Sequence, residues 1–198
     1  MNTKNKDIIL ASASPRRHEL LTSVGIPHRV VTADADEGSV EYRGDISAYV
    51  GEVARLKNIA LRTSPEVGES SIVISADTVV YLTEGDEILG KPKDRADAYR
   101  MLRSYSGRAH KVLTGVCIYD ASTSREITFA ECTDVYFRTL SDPEIDEYLS
   151  TPSPYDKAGA YGIQEGAAAF VSRIDGDYPN VVGLPVCRLC VELASIIG

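Results

Sequence analysis

The stretch Ser71–Leu82, SIVISADTVVYL, carries enough aliphatic residues for a buried strand, and Glu87–Leu89 follows after the turn Thr83–Asp86. The two segments read as a hairpin. A buried strand that folds straight back excludes a strict βαβ repeat, in which every strand must be followed by a crossover helix. Within it stands Asp77, and Lys91 follows the hairpin in the GKP turn. Pairing about Glu84–Gly85 sets Asp77 opposite Pro92 and Thr78 opposite Lys91, so Asp77 and Lys91 become near neighbours. Strand alternation turns Asp77 to the face opposite Ile72, Ile74, Val80 and Leu82, away from that aliphatic set. The pair is either a structural salt bridge or two groups attending a shared ligand.

The remaining elements alternate helices with hairpins. Ile8–Ser12 reads as the first strand, and a helix runs from Pro15 to about Val24, where Gly25 stops it. His28–Thr32 is a second strand, and the acidic loop ADADEGSVEYRGD follows. Asp45 caps a long helix to about Arg62. Beyond the hairpin come a helix at Arg95–Arg103, ended by Ser106–Gly107, and strands at His110–Tyr119 and Glu126–Arg138. A helix at Asp142–Leu149, a strand near Ala168–Ile174 and a terminal helix at Val182–Ile197 complete the chain. This order predicts an α/β fold with a mixed, twisted sheet and flanking helices. There is neither a GxGxxG after the first strand nor a GxxxxGK[ST], so dinucleotide-binding and P-loop readings lose their main supports.

At 198 residues the chain fits a single domain, residues 1–198, or two closely joined lobes. A net charge of −8 argues against broad binding to nucleic-acid polymers or anionic membranes, so a polyanion partner should be small and held locally. No apolar run approaches the ~20 residues needed to cross a bilayer. The start, MNTKNKDIILAS, lacks the features of a secretory signal. The expected location is cytoplasmic. Cys117 and Cys132 fall in expected strands, and Cys187 and Cys190 form a lone CxxC inside a helical pattern. With no second CxxC at zinc-ribbon spacing, reduced packing thiols are the expectation.

Four segments carry groups suited to chemistry. In ASASPRRHELL, Ser14 suits an N-cap and Pro15 the first helical position. The free N–H groups of a helix start favour an anion there, and Arg16 and Arg17 add charge. A solvated helix start with surface arginines is the alternative. Lys57 falls inside the apolar stripe formed by Val53, Ala54, Ala60 and Leu61, where it either snorkels past the edge or meets a partner. Asp36 and Glu37, with Asp77, are hard oxygen donors suited to Mg²⁺ or Mn²⁺. In YDKAGAYGIQ, small residues permit close backbone approach, and Gln164 has both a donor and an acceptor to offer an amide-like base edge.

Taken in order, ASASPRR, the DADE loop, EVARLKNIA, SADTVV, GKP, SGRAHKVLTGV, DKAGAYGIQ and GDYPNVVGLP resemble the Maf family of nucleoside triphosphate pyrophosphatases over nearly the whole chain. The resemblance implies a Maf/inosine triphosphatase-like fold of two lobes around a central cleft, and a homodimer. It implies hydrolysis of the α–β phosphoanhydride of a nucleoside triphosphate, with a divalent metal (Mg²⁺, Mn²⁺ or Co²⁺). Asp77 would be the proton acceptor, and Glu37 would help hold metal or water. Lys57 and Lys91 would contact phosphates, with Ser12, Arg16 and Arg17 lining the phosphate end. Arg16, Thr78 and Gln164 agree with the members acting on dTTP and UTP. Members acting on 7-methyl-GTP usually carry tryptophan, glutamine and glutamate there. Glu165 departs from the pattern, because a small residue more often follows GIQ. Whether Asp77 takes the proton or holds the metal stays open. A non-catalytic nucleotide-binding regulator of septum formation is the alternative from another class.

Overall fold

The computed structural model describes residues 6–32 and 34–198. The polar lead-in 1–5 and Ala33 of the acidic loop lie outside the described residues. Among the described residues seven strands form one sheet: β1 (Asp7–Ala11), β2 (Arg29–Val30), β3 (Ser71–Leu82), β4 (Glu87–Leu89), β5 (Ala109–Asp120), β6 (Arg125–Phe137) and β7 (Val171–Asp175). Their order is β2-β1-β3-β5-β6-β7, with β4 paired to β3 off that path. The sheet is mixed: β1 pairs parallel with β2 and β3, while β3–β4 and β6–β7 are antiparallel. Six α-helices accompany it among the described residues, α1 (Pro15–Ser23), α2 (Ile46–Arg62), α3 (Arg95–Tyr105), α4 (Asp142–Tyr148), α5 (Tyr178–Val182) and α6 (Val186–Ile197).

Contacts divide the chain into two compact units, and the division falls inside β3, between Asp77 and Thr78. The first unit contains 1–77, 114–131 and 183–198. Within it β1 and the first half of β3 bury both faces, as parallel strands between helix layers must. Ile8, Leu10, Ile72, Ile74 and Ala76 pack with Leu21 of α1 and Leu189, Leu193 and Ile196 of α6. The alternate residues Ile9, Ala11 and Val73 pack with Leu61 of α2. Asp77 shares the parity of Val73 and Ser75, so it faces the side of α2; Ser75 donates to the Ala54 carbonyl of that helix at 2.7 Å.

Two contacts seat α2 on the sheet. Asn58 is fully buried, and its amide donates to the Val73 and Cys117 carbonyls at 2.9 and 3.1 Å. Gly115 lets the helix backbone approach directly, since a Cβ there would sit 2.1 Å from the Val50 carbonyl oxygen. The Asp45 side chain accepts from the Ser47 and Ala48 amides at the helix start, as expected for an N-cap.

The second unit, 78–113 and 132–182, has an aromatic centre. Tyr105, His110, Phe137 and Tyr161 meet mostly edge to face, with ring centroids 4.3–6.0 Å apart. Burial drives the His110 imidazole down to a pKa of about 3, so it is neutral there, and Nε2 lies 2.8 Å from the Tyr161 hydroxyl.

Three expectations needed correction. The strand near Ala168–Ile174 begins at Val171 instead; Ala168 and Phe170 spend their amides on a helical turn over Gly166–Ala169. The terminal helix splits because Gly183 takes φ of +129° and Pro185 caps α6, leaving α5 as a separate short helix. Ser14 stands at the N-cap of α1, yet its side chain makes no capping bond. The CxxC lies in the first turns of α6, and all four cysteines are free thiols.

Candidate active site

Three predicted residues of the first unit, Glu37, Lys57 and Asp77, meet in one charge cluster. Lys57 does not snorkel: its Nζ lies 2.7 Å from Asp77 Oδ1 and 3.1 Å from Glu37 Oε1. The ion pair that the hairpin register offered to Lys91 is made by Lys57, from the helix that packs on the Asp77 face of β3. Lys57 and Asp77 are set in at 18% and 15% side-chain exposure, whereas Glu37 is 54% exposed. Glu37 arrives on a short helical turn, Glu37–Ser39, which Asp36 precedes. The loop is therefore built rather than merely solvated, since it delivers one carboxylate to Lys57.

Arg17 is the second cation. Its Nε donates to the Gly183 carbonyl at 2.8 Å and its Nη1 to Ser12 Oγ at 3.1 Å. Ser12 Oγ also accepts the Ser14 amide at 3.2 Å, tying the end of β1 to the start of α1. Burial lowers the pKa of Arg17, the negative charge of Asp77 raises it, Arg16 lowers it, and Glu37 raises it again. An arginine stays protonated through such shifts. The surface reading of the helix start fails for Arg17, which is held by a backbone carbonyl and a buried serine.

Tyr49 was missed. Its pKa is raised by burial first and then by the negative charges of Asp77 and Glu37, so the phenol lies within the field of both carboxylates. It precedes Val53 and Lys57 by steps of four on α2, so the spacing was legible, but a tyrosine in that stripe reads as core.

The second unit carries Thr78, Lys91 and Gln164. Thr78 follows Asp77 along β3. The predicted hairpin register holds, with Val80 opposite Leu89, but the ladder stops there, two residues before Lys91. Lys91 is exposed and makes no ion pair among the described residues. Gln164 is exposed on a loop of short helical turns. Gly159 fixes that loop: it has φ of +70°, a Cβ would meet Val80 at 2.4 Å, and its amide donates to the Gly90 carbonyl at 2.9 Å.

The donor set of the first unit fits a hard divalent cation. Glu37 and Asp77 already converge on a positive charge, and Lys57 engages one oxygen of each. Among the described residues no group of three His, Cys, Asp or Glu side chains could enclose a metal. A two-carboxylate site whose remaining ligands are water and phosphate oxygens is the pattern expected for Mg²⁺.

The fold and the site together define an α/β protein whose sheet carries a carboxylate–cation cluster at the middle of a buried strand. In fold it is similar to a solved HAM1 protein from Coxiella burnetii, with a TM-score of 0.55 at 9% identity over 96% of this chain and 98% of that one. The Maf-like protein family model matches residues 7–196, and the chain belongs to the Maf family. It is 48% identical to a dTTP/UTP pyrophosphatase of Alkaliphilus oremlandii, over 96% of each chain. It is 49% identical to a protein of that name from Citrifermentans bemidjiense, over 98% of this chain and 97% of the other. A dTTP/UTP pyrophosphatase of Geobacter sp. strain M21 is 47% identical over the same shares.

Proposed function

We propose that this chain is a nucleoside triphosphate pyrophosphatase that hydrolyses dTTP and UTP to the nucleoside monophosphate and pyrophosphate. The observation that carries the chemistry is the Lys57 ammonium held between Asp77 and Glu37, with Arg17 fixed nearby. The relatives' names support the substrates, and the family match from residue 7 to 196 supports one catalytic domain.

In this reading Asp77 accepts the proton of the attacking water, or binds metal jointly with Glu37, from a rigid strand position. Lys57, aligned by its ion pairs, neutralises charge that builds on the phosphoryl oxygens. Ser12, Arg16 and Arg17 hold the phosphates at the start of α1, and Lys91 contributes a further cation. Arg16, Thr78 and Gln164 select the base. A divalent ion (Mg²⁺, Mn²⁺ or Co²⁺) bound through Glu37 and Asp77 supplies Lewis-acid neutralisation of the phosphate charge. A homodimer in the cytoplasm belongs to the same reading; no helix among the described residues is long and apolar enough to cross a membrane.

The test is a panel of nucleoside triphosphates with Mg²⁺, Mn²⁺ or Co²⁺, following pyrophosphate and monophosphate together. Turnover of dTTP and UTP in that stoichiometry is expected. Tight binding without turnover would favour the regulator of septum formation, and preference for 7-methyl-GTP would overturn the pyrimidine assignment.

A further inference from the structure

The loop that presents Gln164 is closed by a clasp whose last member is Glu165. Lys157 has only 7% of its side chain exposed, and its three ammonium hydrogens meet three acceptors. These are the Ser153 carbonyl and Asp156 Oδ1, both at 2.7 Å, and Glu165 Oε1 at 3.0 Å. The second oxygen of Glu165 accepts from the Ser153 hydroxyl. Ser153 Oγ is also 3.1 Å from the Tyr148 hydroxyl, which in turn accepts the Gly162 amide at 3.2 Å. Gly162 lies on the lysine stem, because a Cβ there would come within 2.6 Å of Lys157 Cε.

The clasp therefore grips the chain at Gly162 and Glu165, and Gln164 lies between those two points. Ile163 beside it is buried, so Gln164 is the exposed residue of a short span held at both ends. Both oxygens of Glu165 have partners inside the loop, one at Lys157 and the other at Ser153. A glutamine amide discriminates between bases only when its donor and acceptor are held in one orientation, and holding it before binding removes an ordering cost.

We propose that Glu165 is a positioning residue for base selection, acting through Gln164 by closing the Lys157–Ser153 clasp. The inference rests on the reading of Gln164 as the base contact. Four proteins test it: Glu165→Ala, Glu165→Gln, Gln164→Ala and the Glu165→Ala/Gln164→Ala double variant. For each, kcat and KM are measured for UTP and for CTP, whose base edge reverses the donor and acceptor. Glu165→Ala should raise the KM for UTP by about two- to tenfold, the scale of one hydrogen bond, with kcat nearly unchanged. The UTP-over-CTP preference should fall, and Glu165→Gln, which still bonds Ser153, should restore most of it. In the Gln164→Ala background, Glu165→Ala should add nothing. Amide exchange across residues 158–164 should quicken in Glu165→Ala.

An unchanged UTP-over-CTP ratio in Glu165→Ala, with a clear change in Gln164→Ala, would overturn the positioning role and leave the base contact standing. Additive effects in the double variant would overturn it as well, since Glu165 would then act independently. No change in Gln164→Ala would remove the base contact, and the inference with it.

Discussion

Gly115→Ala tests whether the seating of α2 on the sheet sets the geometry of the carboxylate–cation cluster. The added Cβ would lie 2.1 Å from the Val50 carbonyl oxygen, 2.3 Å from its carbon and 2.6 Å from the Gly51 nitrogen. Contacts of Cβ below 3.0 Å essentially do not occur, so backbone must retreat by about 0.9 Å. No flexible side chain can absorb the overlap, because all three atoms are backbone of α2. Overpacking of this kind costs about 1–3 kcal/mol. For a chain of this length that lowers Tm by roughly 2–12 °C. The same shift strains both Asn58 bonds and draws Lys57 from its 2.7 Å contact with Asp77. Misplacement near 1 Å costs on the order of 10²-fold in catalysis, which is the loss of kcat/KM expected for UTP. Gly51→Ala is the control, since its nearest contact is a Thr128 methyl at 3.3 Å and alanine favours a helix. Differential scanning calorimetry and pyrophosphate release measure the two quantities. If Gly115→Ala melts lower but keeps full kcat/KM, α2 seating does not control the site. If neither changes, the close approach itself is refuted.

Asp77→Asn should lower kcat by on the order of 10²–10⁴-fold while leaving the fold intact, and near-normal turnover would remove Asp77 from proton transfer. His110 couples stability to pH in a definite direction. Its folded pKa of about 3 lies below the ordinary 6.5, so the unfolded chain binds the proton first. Stability is then full above 6.5 and falls by about 1.4 kcal/mol per pH unit below it. Denaturant titrations at pH 7 and pH 5 should show that loss, and a His110→Leu variant with the same slope would refute its source. Asp45→Ala removes the acceptor of two amides at the start of α2 and should cost about 1 kcal/mol, read as a lower Tm with unchanged KM.

Much of the fold was legible because its signals are local. Asp45 and Arg62 bound a helix by capping and periodicity, and the turn after Leu82 set the hairpin register that the structure keeps. Misreadings arose where backbone conformation broke a favourable pattern. Residues 182–197 look continuously helical by composition, yet the +129° φ of Gly183 and the cap at Pro185 divide them. Small residues at Gly166–Ala169 fit a strand in sequence, but their amides close a turn.

By itself the sequence determined which groups carry charge, on which face of β3 Asp77 stands, and where Lys57 falls on its helix. Those are properties of period two and period 3.6, and they need no partner element. Only the tertiary structure decided that Lys57, and not Lys91, pairs with Asp77, because that choice depends on which helix packs against the strand. It likewise decided that Arg17 is held by the Gly183 carbonyl, 166 residues further along, and that Tyr49 lies within the field of the two carboxylates. Glu165 changed most: a lone acid after GIQ in the sequence became, once Lys157 was folded beneath Gly162, the group that closes the loop.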